Sequence, residues 1–234
     1  MEEVQPPTEK GASRYTYEPL DGREFKRRIE SGFSDVYLTS ISIIQGIALT
    51  FLCEEVFRHD RSPELIGGDI PIPYVLMTFG TIVGVSFEYN WFVGTHRYSY
   101  KFIDTLIPYV IGFFEIGAVF NLKETSHWWF WMGLMYFSGM IAYVNSLIHY
   151  RRDGFADDEV YYMFRKNMLR SIWIVAVSAT LCLTTFFTYS YLVDKFSRNI
   201  DYLYLLIYTA FLTALLLKNA LFLKKLHQVF HFKH

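Results

Sequence analysis

Two acidic residues interrupt long apolar runs: Glu88 in FGTIVGVSFEYNWF and Glu115 in IPYVIGFFEIGAVF. A carboxylate at membrane depth is costly, so such residues are candidates for ion pathways, proton relays or cross-helix pairs. Helical spacing puts Glu88 on one face with Thr81 and Gly84, and Glu115 close in azimuth to Asp104. Asn145 and His149 lie one turn apart, on a face with Ser138 and Ala142. The plainer reading is pairing or snorkelling for Glu88 and Glu115, and solvation near a helix end for Asp104 and His149. His227 and His231 have metal-ligand spacing but no accompanying carboxylate or cysteine, and they alternate with apolar residues beside Lys224 and Lys225. A basic amphipathic segment on a membrane surface explains them. GxSxG, HExxH, CxxC and P-loop patterns are absent. The expectation is therefore no catalytic residue, no metal and no cofactor.

A second group of polar residues is periodic. After Lys26, Arg27 and Arg28, the stretch Val36 to Cys53 carries no charge, enough to span a bilayer. At about 100° per residue, Asp35, Thr39, Ser42, Gly46 and Thr50 fall on one stripe. Such a stripe is expected to face other helices or water inside the protein rather than lipid. Gly80 and Gly84 form a GxxxG pattern that permits close helix approach, within the chain or between subunits. The neighbouring TIVGV echoes the TVGYG filter of ordinary potassium channels, but it sits inside a continuous span and not in a re-entrant loop.

The elements that carry these residues follow from composition. The 234 residues are 52% hydrophobic and 19% charged, below the usual quarter or so, and the apolar residues come in blocks. This predicts an all-α integral membrane protein with six spans, near 36–53, 73–95, 102–122, 128–150, 171–193 and 202–223. Residues 1–33 read as a polar tail, 34–223 as the transmembrane domain and 224–234 as a basic amphipathic segment. The 155–170 loop reads as a separate solvated or interfacial helix. The polar opening has no cleavable signal. Of the 22 lysines and arginines, 17 fall on the side of the termini and 5 on the other, which puts both termini in the cytoplasm. Trp128, Trp129 and Trp131 suggest an outer aromatic belt. Cys53 and Cys182 read as small core residues. A net charge of −1 gives no field for nucleic acid.

Arg28, then Phe33-Ser34-Asp35 at the mouth of the first of six spans, resembles the endolysosomal potassium-channel family and its bacterial six-span homologues. That family carries R-x-x-x-F-S-D at this place. The resemblance implies a pore lined by the first helix and, in bacterial members, a homotetramer in the cell membrane. The second span also runs into a basic turn, His96-Arg97, as bacterial members often do. Here four residues separate Arg28 from Phe33, one more than in the family. The family's hydrophobic constriction, five residues past the Asp, falls on Ser40, with Ile43 the nearby apolar candidate. As an alternative, Ser34 and Asp35 would simply cap the first span.

These readings lead to an oligomeric cation channel, potassium-permeable, with Asp35, Thr39, Ser40, Ser42, Ile43, Gly46 and Thr50 facing the pore. Its expected partners are the bilayer, monovalent cations and further copies of itself. The alternatives are a membrane-embedded interaction or effector protein, such as a bacterial defence component, and an intramembrane enzyme or proton-coupled transporter. The last needs Glu88, Glu115 and His149 to converge.

Overall fold

A computed structural model describes residues 22–58, 72–95, 102–149, 158–196 and 199–231, with side chains over 37–57, 72–90, 104–148, 158–189, Tyr191 and 202–225. The described chain is all-helical: α1 (Gly22–Arg58), α2 (Ile72–Thr95), α3 (Phe102–Phe120), α4 (Thr125–His149), α5 (Asp158–Phe196) and α6 (Asn199–His231). Five helices hold stretches long and apolar enough to cross a membrane: Tyr37–Phe57, Ile72–Asn90, Thr125–Ile148, Asp158–Tyr189 and Tyr202–Lys225. The molecule is therefore compatible with a multi-pass integral membrane protein. α3, the shortest helix at 19 residues, contains Pro108.

Three helices run further than their apolar segments. α1 has 37 residues, α5 has 39 and α6 has 33. At about 1.5 Å per residue each exceeds a hydrocarbon core of about 30 Å. Helix α1 starts at Gly22, so the backbone at Ser34 and Asp35 is helix interior and the capping alternative fails. The tail boundary at residue 33 likewise falls within a helix. The 155–170 segment does not form a separate connecting helix, because α5 continues from Asp158 through the fifth apolar run. The C-terminal segment continues α6 to His231. α1 stays helical even through Gly32 and Ser34, and for α5 and α6 the physical reason is shared. Lys, Arg and Glu are good helix formers, and a change from apolar to charged residues does not end a helix without Gly, Pro or turn chemistry.

The helices close into a ring in the order α1, α3, α4, α5, α6, α2, with α2 also touching α3 across it. The close approach of α1 to α3 depends on Gly112, where an added Cβ would lie 2.0 Å from Ile44 Cγ2. The GxxxG pair makes a looser contact inside the chain, with Leu212 of α6 lying 3.6 Å from a Cβ at Gly80 and 3.2 Å at Gly84. In lipid, burial of apolar surface drives little association, so packing and interhelical hydrogen bonds must hold such a ring.

Trp128 and Trp129 are 0% exposed and do not form an interfacial belt. They stack edge-on against Tyr74 and Tyr208, and the Trp128 indole N–H donates to Thr78 Oγ1 at 2.9 Å. Trp131 packs on Phe113 and Phe114. Trp128 has a hydrogen-bond partner within reach, whereas the Trp129 indole N–H has none among the described residues and its ring is held by edge-on contacts with Tyr74, Tyr204 and Tyr208. Cys182 is buried as expected, but Cys53 is exposed.

Candidate functional site

Three groups of polar side chains on the apolar helices concern the candidate site: the outward face of α1, a pair behind it, and a network inside the ring. Exposed or half-buried, back-bonded threonines also occur on α5, at Thr180 and Thr188.

On α1, Tyr37, Ile41, Ile44, Gln45, Ala48 and Leu52 are buried against the rest of the chain. Thr39, Ser42, Ile43, Gly46 and Thr50 are exposed, and Cys53 continues that face. The stripe therefore points away from the chain's own helices, with nothing within 4 Å of a Cβ at Gly46. Ser40 is half-buried on the flank of this face. The hydroxyls of Ser42 and Thr50 donate to the carbonyls of Leu38 (2.9 Å) and Gly46 (2.8 Å) one turn back, as isolated Ser and Thr in apolar helices do. Arg28, Phe33, Ser34 and Asp35 lie on the α1 backbone, and their side chains fall outside those described.

The pair behind α1 was not visible as a pattern. Gln45 Nε2 donates to Glu115 Oε2 at 2.8 Å, between α1 and α3. Glu115 is 1% exposed. Gln45 Oε1 and Glu115 Oε1 have no hydrogen-bond partner among the described residues. This buried hydrogen bond ties α1 to α3 one residue before Gly46, at the centre of the stripe.

The network inside the ring is centred on Glu88. Its carboxylate accepts from the Tyr143 hydroxyl of α4 and from Asn219 Nδ2 of α6. Asn219 Oδ1 accepts from Asn167 Nδ2 of α5 at 3.3 Å, and Lys218 Nζ reaches Ser171 Oγ. Asn167, Ser171 and Asn219 are all buried. Glu88 also borders a cavity of about 90 Å³ to which every helix contributes, including Tyr37, Asp104, Ser146, Val175 and Leu215. That is room for a few water molecules. Asp104 is 4% exposed and accepts from Asn145 Nδ2 at 2.6 Å. It is therefore buried and partnered, not solvated at a helix end. Pro108 leaves the Asp104 carbonyl without its intrahelical donor on the same helix.

Glu88 and Glu115 therefore have separate sets of partners, and His149 has no described side chain. Convergence of the three is not seen among the described residues. The sequence did mark Glu88, Glu115, Asp104 and Asn145. It gave less notice to Gln45, Asn167, Lys218 and Asn219, whose signal was an amide or ammonium close to apolar helix faces. No family model, curated protein or solved structure matches the chain.

Proposed function

We propose that the chain is one subunit of a homo-oligomeric cation channel, with potassium the preferred ion and the outward face of α1 lining the pore. In this reading all six helices span the membrane, α3 included, with both termini in the cytoplasm. The observation that carries it is the direction of the stripe. Thr39, Ser42, Gly46 and Thr50 lie on a segment long and apolar enough to cross a membrane, and they are exposed away from their own chain. Polar stripes in spans face protein or water rather than lipid, so further copies, or a water-filled axis between them, meet this face. Ile43, 58% exposed beside the stripe, supplies the apolar ring at which such a pore dewets. Ser40, at the place the family resemblance gives to that ring, is half-buried and leaves the role to Ile43.

A second reading keeps the same face but gives it to a partner helix, making the protein a membrane-embedded interaction or effector protein. The back-bonded hydroxyls of Ser42 and Thr50 favour it, since they need no water. Ion flux from liposomes under a potassium gradient, with sodium and chloride controls, separates the two. A channel gives a selective potassium flux that Thr39→Phe and Gly46→Phe abolish without loss of folded protein. No flux from intact, correctly inserted protein supports the partner reading.

A further inference from the structure

At the end of the bundle where α5 begins and α6 leaves its apolar run, the two helices part around a cleft of about 470 Å³. Lys166 and Arg170 project into it from α5, and Lys218 and Lys225 from α6. Lys166 and Arg170 are one turn apart and Lys218 and Lys225 two turns apart, so each pair shares a helix face. Among the described residues no carboxylate lines the cleft. Interleaved with the cations its wall is apolar, with Leu217 and Leu221 56% and 58% exposed.

We infer that this cleft binds the phosphate headgroup of an anionic phospholipid from the leaflet on the side of the termini. Four cations around one concavity repel one another unless an anion sits among them. Glu88, beyond Lys218, answers only one of the four. A soluble anion would leave Leu217 and Leu221 unused, whereas a phospholipid sets its phosphate among the ammonium and guanidinium groups and its acyl chains along the leucines. Basic recesses between helices at the cytoplasmic surface are suited to such headgroups. Arg170 supplies a bidentate fork and the lysines supply point charges. The site is joined to the ring interior, because Lys218 also reaches Ser171 and the next residue, Asn219, donates to Glu88. The inference needs the membrane setting but not conduction.

The test is native mass spectrometry of the purified full chain, released from detergent micelles containing equal phosphatidylglycerol and phosphatidylcholine. The wild type should retain phosphatidylglycerol in preference. Lys166→Gln with Arg170→Gln, both at exposed positions, should weaken retention roughly 30-fold, about 1 kcal/mol for each basic residue near the surface. Lys166→Arg with Arg170→Lys should restore it. Lys224→Gln, exposed but outside the cleft, should leave it unchanged. Equal retention of phosphatidylcholine, or an equal loss with Lys224→Gln, would overturn the site, the latter by showing diffuse surface charge. Displacement of the lipid by millimolar inorganic phosphate would assign the cleft to a soluble anion and overturn the lipid assignment.

Discussion

The outward face of α1 and the interior around Glu88 both hold polar side chains at membrane depth, but they satisfy them by opposite means. On α1 the hydroxyls of Ser42 and Thr50 close on the helix's own backbone, one turn back. Around Glu88 the bonds cross between helices, from α2 to α4 and α6, and from α6 to α5. The first arrangement can be removed without disturbing the ring. The second cannot be removed so easily, because each partner taken away leaves another buried polar group short of a bond. The interior bonds tie helices to one another, whereas those of Ser42 and Thr50 on the α1 face close on α1 itself.

The largest effect that tests this contrast is on stability at Glu88. Glu88→Leu should destabilise the ring by about 3–5 kcal/mol, since it leaves Lys218 without its neighbouring carboxylate and Asn219 and Tyr143 without their acceptor. The readout is the denaturation midpoint in detergent, and an unchanged midpoint would mean the network carries no load. Next comes Gln45→Leu, which strips Glu115 of its described donor and should cost about 1–3 kcal/mol. It should also lower flux further than stability, because α1 loses the bond that ties it to α3. Equal flux per folded molecule would show that this bond does not position the α1 face. Gly112→Ala forces a Cβ onto Ile44 and should cost about 1–3 kcal/mol by overpacking. Ile44→Ala in the same chain should recover part of that loss, and strict additivity would place the strain away from this contact. Smallest in stability are Thr39→Val and Ser42→Ala, each within about 0.5 kcal/mol of wild type. A larger loss would mean the α1 face serves the fold of the single chain.

The same contrast explains what could be read from the sequence. Helical class and the apolar blocks were legible because they are local properties of composition. The stripe was legible because a single helix writes it with one period, and its exposure away from the chain's own helices is compatible with the expectation that it faces further helices or water. The partners of Glu88 lie 55 and 131 residues away, and that of Glu115 lies 70 away, so no local pattern could report them. The 155–170 segment was set apart from the fifth span although α5 runs through both, since charge marks where a helix leaves the bilayer and not where it stops. Trp128 and Trp129 looked like anchors because indole suits both an interface and a satisfied core. The hydrogen bond to Thr78 and the Tyr74 and Tyr208 rings decided for the core.

The most direct test of the α1 assignment is a cysteine scan of residues 37–53 in a Cys53→Ser background, reconstituted in liposomes and exposed to a charged, water-soluble thiol reagent. The account predicts that Thr39→Cys, Ser42→Cys, Gly46→Cys and Thr50→Cys react and that potassium flux stops as they do. Ile41→Cys, Ile44→Cys and Ala48→Cys, on the buried face, should stay unreacted. If none of the stripe positions reacts in protein shown to be folded and inserted, the face lies against lipid or a dry partner, and a pore along α1 is contradicted.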